Sequence, residues 1–321
     1  MILGPRAVWQ IAAGQSSRTG ADVFTQHGVA LLAPGDAGPW STDRPDEDFD
    51  GAFVRRFATE VRSGDAILLR VGSTTIRAVG VIASEYQYLD IFDDVNGMDM
   101  QHARRARWGE LPEDYDFVEP VFGGPPRRFG QVAQETVLDF AQRFLNSPPI
   151  SWQEAMLPPL PAEEPALGDQ QLPERIRVIV AQARDLQQLY SDGQRFGLHP
   201  TEDEMIAHFI VPLLLSLGWR PELIGVKWRN IDVALFGSLP RTPESCRIVF
   251  EAKRLGVGAE GALAQAIGYV QDLGLRADVV VTDGFRYRRY ARETGFAPSA
   301  YANHVRLKRQ ALALFTGMSC V

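Results

Sequence analysis

The chain has 321 residues, is 45% hydrophobic and 23% charged, and carries a formal net charge of -7, a composition that suits a globular protein with room for two domains. No apolar run is long enough to span a bilayer, the opening Met1-Ile2-Leu3-Gly4-Pro5-Arg6 lacks a signal-peptide core, and Cys246 and Cys320 offer neither a disulfide framework nor zinc spacing, so a cytoplasmic, membrane-free protein is expected. The acidic total does not exclude a nucleic-acid partner, because residues 174–321 hold 19 Lys and Arg against 15 Asp and Glu, which leaves a net of -11 on the first 173.

Residues 1–146 read as a mainly β domain. Strands are expected over Val8–Gly14 and Gly28–Leu32, a polar loop over Ser41–Asp50, and a helix over Phe53–Val61, where Phe53, Phe57 and Val61 recur one turn apart. Ser63-Gly64-Asp65 turns the chain into Ala66–Val71, and Gly72-Ser73-Thr74 turns it back into Ile76–Ile82 as a hairpin. His102-Ala103-Arg104-Arg105-Ala106-Arg107-Trp108 is a basic strand, and Gln131–Leu145 has the spacing of an amphipathic helix.

Trp9 and Gly14, Ser63-Gly64-Asp65, Gly80-Val81-Ile82 with Tyr86, and the basic strand ending in Trp108 occur in an order that resembles the PUA-like superfamily, in particular its EVE/YTH-type barrels. The resemblance covers about the first 110 residues and implies a mixed α/β barrel that holds a modified base. A flipped base needs aromatic faces to stack on and polar groups to read its edge. Trp9, Trp40, Tyr86, Tyr88, Phe92 and Trp108 are the aromatic stock, and Arg104, Arg105 and Arg107 are candidates to clamp flanking phosphates. Each aromatic taken alone is better read as core, and a solvated strand face accounts for the arginines equally well.

Residues 147–173 are proline-rich, with Ser147-Pro148-Pro149, Leu157-Pro158-Pro159-Leu160-Pro161 and Glu163-Glu164-Pro165, and read as an interdomain linker. Residues 174–321 form the second domain. Its first helix runs from Glu174 to Tyr190 with Ile176, Val180 and Ala183 on one side, and Asp192-Gly193 ends it. Thr201 and Glu204 make a capping box for the next helix, which assigns Glu204 a structural role and leaves Glu202, on the face of Ile206, Phe209 and Leu213, pointing inward. Strands follow over Leu223–Trp228, Asn230–Phe236, Cys246–Lys253 and Asp278–Thr282, with a turn at Gly256 and Gly258 and a helix over Ala259–Leu273. Phe285–Arg292 alternates aromatic with basic residues, as an edge strand with a solvated face does, and that face is a candidate to track a DNA backbone.

Two of these strands carry charge in apolar runs: Asp232 inside Ile231–Phe236, and Glu251 and Lys253, which share a face by strand alternation. Unpaired buried carboxylates cost several kcal/mol, so these acids should either hold a cation or pair with Lys253. In order, Phe209-Ile210-Val211-Pro212-Leu213-Leu214, Leu217-Gly218-Trp219, Asp232, Glu251-Ala252-Lys253, Gln265-Ala266-Ile267-Gly268-Tyr269 and Val281-Thr282-Asp283-Gly284 resemble the nuclease domain of type I restriction motor subunits, a branch of the PD-(D/E)xK nucleases. Asp283 departs from that family's usual Asn, at a turn. The resemblance implies a restriction-endonuclease-like α/β fold with Asp232, Glu251, Lys253, Glu202, Gln265 and Tyr269 at the catalytic centre, Glu202 being preferred as the accessory acid and Glu204 the fallback. It further implies Mg²⁺, with Mn²⁺ as a substitute, on Asp232, Glu251 and the Ala252 carbonyl.

Together the two halves imply a modification-dependent DNA endonuclease of type IV or IIM-like character, acting on double-stranded DNA with modified bases, as a monomer or a homodimer. No GxxxxGK[ST] run is present, so no ATP is expected. A reader with an inactive or partner-activated nuclease fold, and a nuclease acting on RNA or damaged DNA, stay open as alternatives.

Overall fold

A computed structural model describes residues 7–320 other than 16–17, 36, 50, 123–127, 147–155, 192–199, 255–258, 305 and 308. The turns expected at Asp192-Gly193 and at Gly256 and Gly258, and the Ser147-Pro148-Pro149 part of the linker, lie outside the described residues. The chain divides into two compact units, Met1–Glu163 and Glu164–Val321, each mixed α/β with its own sheet.

Unit 1 contains β1 (Val8–Ala12), β2 (Gly14–Gln15), β3 (Arg18–Thr19), α1 (Ala21–His27), β4 (Val29–Leu32), α2 (Phe53–Thr59), β5 (Ala66–Val71), β6 (Thr75–Ile82), β7 (Gln87–Tyr88), β8 (His102–Asp116), β9 (Phe129–Gln131) and α3 (Glu135–Asn146). The large sheet runs β4-β8-β6-β5-β1-β9 with β7 added to β8; β1 and β5 are parallel, and the other pairs are antiparallel. Both faces are covered, which explains why Ala66-Ile67-Leu68-Leu69 is continuously apolar. Ile67 and Leu69 join Ile11, Phe24 and Phe57 in the main core, while Leu68 packs with Val79, Val137 and Phe140 under α3.

Three sequence expectations change here. The amphipathic helix begins at Glu135, because Phe129–Gln131 is a strand paired with Trp9–Ile11, a long-range pairing that helical spacing cannot reveal. The second part of the proline stretch is no free spacer: Leu160 packs on the unit 1 core, and the Pro158 and Pro159 carbonyls meet Arg105 and His27. The basic strand is half hidden, with Arg104 fully buried.

Unit 2 contains α4 (Glu174–Ser191), α5 (Glu202–Met205), a π turn (Ile206–Ile210), α6 (Val211–Ser216), β10 (Ile224–Trp228), β11 (Ile231–Phe236), β12 (Cys246–Ala252), α7 (Leu263–Asp272), β13 (Asp278–Thr282), β14 (Arg286–Ala291), β15 (Ala297–Asn303) and α8 (Arg309–Met318). The sheet order is β10-β11-β12-β13-β14-β15, with β12 and β13 parallel and the rest antiparallel. The expected helix from Thr201 is interrupted by the π turn because Pro212 lacks an N–H and its ring would strike the carbonyl four residues before it. Gly218, with φ 94°, lets the chain leave α6 in a conformation that a side chain resists, and buried Trp219 then donates its Nε1–H to the Met318 carbonyl at 2.6 Å.

The Arg/Tyr alternation is not an edge strand. β14 lies between β13 and β15, and Arg286 and Arg288 are buried with Tyr287 and Tyr290. Asp283 takes the Phe285 and Arg286 N–H groups and the Arg286 guanidinium; Arg288 lies over the Tyr301 ring. These arginines build the interior and are not available to a DNA backbone.

Beside them His304 is fully buried, stacked on Tyr287 at 5.3 Å, with neither ring nitrogen hydrogen-bonded to a described residue. Burial pushes its pKa down to about 4, with the Arg184 charge in support. Since the folded value lies below the ordinary 6.5, the unfolded chain binds the proton first, and stability present above pH 6.5 is lost as pH falls toward 4. Urea unfolding at pH 7 and pH 5 should show a loss on the order of 2 kcal/mol from this residue, and His304→Phe should reduce that slope. An unchanged slope would mean that His304 titrates normally.

Candidate active site

In unit 2 the β11–β12 ladder ends where the two strands carry their charges. Their ladder pairs Val233 with Phe250, so Asp232 and Glu251 come next and face each other on one side. There the Asp232 carboxylate takes over from the backbone: its Oδ2 accepts the Ala252 N–H at 2.8 Å. Its Oδ1 accepts from Lys227 Nζ at 2.7 Å. Glu251 is 2% exposed; its Oε1 accepts from Lys253 Nζ at 3.0 Å, and its Oε2 is buried with no hydrogen-bond partner among the described residues. Burial pushes the Glu251 pKa up, the Lys253 bond opposes this, and the nearby Asp232 and Glu202 charges add to the rise.

The chain of contacts continues outward. Lys253 Nζ lies 3.5 Å from Gln265 Oε1, at the limit of a hydrogen bond, and Gln265 Nε2 donates to the Tyr269 hydroxyl at 2.9 Å. Both come from one face of α7, whose other face buries Leu263, Ala266 and Val270. Thr201 and Glu204 form the reciprocal capping box of α5, which occupies Glu204. Glu202, one step into that helix, is half-buried and near enough for its charge to act on Glu251. Among the described residues no three His, Cys, Asp or Glu side chains gather into a metal-holding cluster; the acids that meet are two, Asp232 and Glu251.

Sequence reasoning missed Lys227. Its ammonium bridges Asp232 and, at 3.2 Å, Asp203 Oδ1. Its place is set by the hairpin and not by any pattern in the sequence. Arg229 and Asn230 both have positive φ, which makes a two-residue hairpin turn, and its register places Lys227 across from Asp232.

In unit 1 the expected reader residues separate into two groups. Trp9 is buried, donates Nε1–H to Asp65 Oδ2 at 2.9 Å and stacks on Phe129 at 5.1 Å. Trp108 is buried, donates to the Val29 carbonyl at 2.8 Å, and lies on Gly80, where a Cβ would stand 2.6 Å from its ring. Phe92 is also core. Arg104 donates to the carbonyls of Phe57, Ala58 and Ser84 at 2.9, 2.8 and 3.0 Å. Arg105 donates to those of Gly28, His27 and Pro158. These five side chains are engaged in the unit's own packing and hydrogen bonds, and the burial of Trp9, Trp108 and Arg104 leaves these three turned away from a base or its phosphates, unlike the half-buried Arg105.

The second group is less deeply buried, although Trp40 and Tyr86 also pack on the unit 1 core. Trp40, Tyr86 and Tyr88 are half-buried around His102, whose ring lies 5.9 Å from Tyr86 and 5.5 Å from Tyr88. The Pro34 carbonyl, 2.9 Å from His102 Nε2, can only accept, so Nε2 carries the proton. His102 Nδ1 then accepts from the Tyr86 hydroxyl at 2.8 Å, and that hydroxyl accepts the Trp40 backbone N–H at 3.0 Å. Burial holds the His102 pKa down at about 4, so this tautomer is neutral at pH 7. The Trp40 indole Nε1 is buried without a hydrogen-bond partner among the described residues.

A family model described as a domain of unknown function (DUF8426) matches residues 9–121. No curated protein matches the sequence. Among solved structures, a fragment of a putative HsdR subunit of a type I restriction enzyme from Vibrio vulnificus YJ016 is weakly similar: 16% identity, TM-score 0.27, over 38% of this chain and 26% of its own. The chain thus spans about a quarter of that fragment's length. The YTH domain of the Zygosaccharomyces rouxii MRB1 protein, solved in complex with N6-methyladenosine RNA, is also weakly similar, with 12% identity and a TM-score of 0.30 over 48% of this chain and 95% of its own. No helix among the described residues is long and apolar enough to cross a membrane.

Proposed function

We propose that this chain is a modification-dependent DNA endonuclease, in which unit 1 is a PUA-like reader of a modified base and unit 2 a PD-(D/E)xK-type nuclease. The observation that carries the reading is the buried Glu251 carboxylate with one oxygen unpartnered, facing Asp232 and flanked by Lys253. A carboxylate oxygen buried without a donor is costly, and a hard cation relieves it. The donor set fits Mg²⁺, which is commonly held by one or two carboxylates with water and substrate phosphate oxygens completing its shell. Asp232 and Glu251 would hold it, with the Ala252 carbonyl as a further oxygen and Mn²⁺ as a substitute. Bound there, the ion supplies polarisation of the scissile phosphate and a lowered pKa for the attacking water.

The chain's own groups do the rest. Lys253 carries the positive charge that orients the attacking water and stabilises the negative charge growing on the phosphate oxygens. Gln265, held by Tyr269, aims the Lys253 ammonium. Glu202 is an accessory acid acting through the field at Glu251. A rival reading, that these acids serve only as ion-pair partners, is favoured by Lys227 and Lys253 sitting on them; metal-dependent cleavage separates the two.

For the reader, Trp40 and Tyr86 are the residues we assign to a modified base in double-stranded DNA. Trp40 offers an aromatic face and an unused buried donor, and Tyr86 and His102 set its backbone. Trp40→Ala should weaken binding of modified DNA by about 1–3 kcal/mol, beyond the loss of stability that follows from its contacts with the unit 1 core. Binding isotherms in EDTA on matched DNAs carrying no modification, 5-methylcytosine, 5-hydroxymethylcytosine, its glucosylated form or N6-methyladenine check this. Equal affinity of the wild-type protein for all five DNAs would remove the reader role.

A further inference from the structure

Lys227 is unlike Lys253, the other lysine of the site. It lies on the edge strand β10 with φ 52°, a left-handed conformation that a lysine adopts at a cost of about 1–2 kcal/mol. Strain of this kind persists where the surroundings impose it, and it gathers at working sites. The kink places Lys227 Nζ between two carboxylates, 2.7 Å from Asp232 Oδ1 and 3.2 Å from Asp203 Oδ1. The two acids differ: the Asp232 side chain is 8% exposed and that of Asp203 is 80% exposed. Lys227, itself 48% exposed, thus has one partner inside the site and another at its rim, and a small movement of a flexible side chain exchanges them.

We propose that Lys227 is a positioning residue that competes with the metal for Asp232: its ammonium neutralises the acid while no divalent ion is bound, and it withdraws to Asp203 when one arrives. This rests on the reading of Asp232 and Glu251 as metal ligands. Lys253 does not duplicate the role, since its partner is Glu251. Lys227 thereby keeps this end of the β11–β12 ladder stable without metal, and it sets the concentration at which the metal enters.

The test is a Ca²⁺ and Mg²⁺ titration of the full chain by calorimetry, without DNA, paired with thermal melts in EDTA and in saturating metal. Lys227→Met should bind either ion about fivefold more tightly, the share an ion pair of this exposure contributes. It should also melt lower in EDTA and recover in saturating metal. Asp203→Asn, at an exposed position, should have the opposite effect and weaken metal binding, because Lys227 loses its alternative partner. Unchanged or weaker affinity in Lys227→Met overturns the proposal; should that variant fail to fold, unchanged or tighter affinity in Asp203→Asn overturns it instead. Asp232→Asn separates the levels. If the wild type binds no metal, or Asp232→Asn binds as well as the wild type, the metal-site reading falls and takes the proposal with it. If those controls hold and the Lys227 and Asp203 variants match the wild type, the proposal alone falls.

Discussion

Glu251→Gln should lower Mg²⁺-dependent cleavage by about 10²–10³-fold or more, the loss typical when a group stabilising transition-state charge is removed, and it should not destabilise the fold. The second half of that expectation comes from the site's electrostatics. Burial raises the Glu251 pKa, so ionisation of this side chain works against folding, and a neutral amide of the same shape removes the penalty. Asp232→Asn is the matched case. An amide oxygen still accepts the Ala252 N–H, whereas the charge that a metal and Lys227 require is gone. Asp232→Ala is less informative, since it leaves a buried N–H unpaired at a cost of about 1–3 kcal/mol. Lys253→Ala should also abolish cleavage, with DNA binding retained. Cleavage of Lys253→Ala at the wild-type rate, measured beside its melting curve, would show that the assignment is wrong.

Arg104→Ala should destabilise unit 1 by about 3 kcal/mol or more, the largest effect on stability expected of any basic residue there. Its guanidinium is fully buried and serves three backbone carbonyls, two of them, Phe57 and Ala58, in the last turn of α2. Those carbonyls have no intrahelical partners and concentrate negative partial charge. Truncation strands them and leaves a cavity as well. Arg104→Lys should recover little, because one ammonium cannot span three acceptors in a planar fork. Urea unfolding of the three proteins measures this. A fully stable Arg104→Ala that has lost affinity for DNA would restore the phosphate-clamp role and contradict the structural one.

Arg104 also shows where a sequence stops being legible. A run such as Arg104-Arg105-Ala106-Arg107 reads alike whether its guanidiniums face water, phosphate or carbonyl groups folded against them, because the acceptors come from Phe57, Ser84 and Gly28, far away in the chain. Arg286 and Arg288 mislead in the same way: alternation identified the strand but not its second neighbour β15, for which residues 293–321 raised no expectation. Asp232, Glu251 and Lys253, by contrast, were legible because charge inside an apolar strand is costly enough to need a reason, and strand alternation fixes the face. Helical spacing put Gln265 and Tyr269 on one face, but only the resemblance to the nuclease family brought them to the site; the structure joins them by a hydrogen bond. Lys227 was hidden because its place depends on hairpin register and an unusual φ. Trp40 could be told from Trp9 only once burial and each indole's hydrogen-bond partner were visible.

The claim that joins the two units is that a modified base directs metal-dependent cutting. Its most direct measurement is cleavage of otherwise identical duplex DNAs, unmodified or carrying each of the five-position cytosine modifications or N6-methyladenine, by the wild-type chain and Glu251→Gln in Mg²⁺ and in EDTA. The account predicts double- or single-strand breaks on at least one modified DNA, none on unmodified DNA at the same enzyme concentration, and none in EDTA or with Glu251→Gln. Equal cutting of every DNA, or cutting that survives Glu251→Gln, would contradict it.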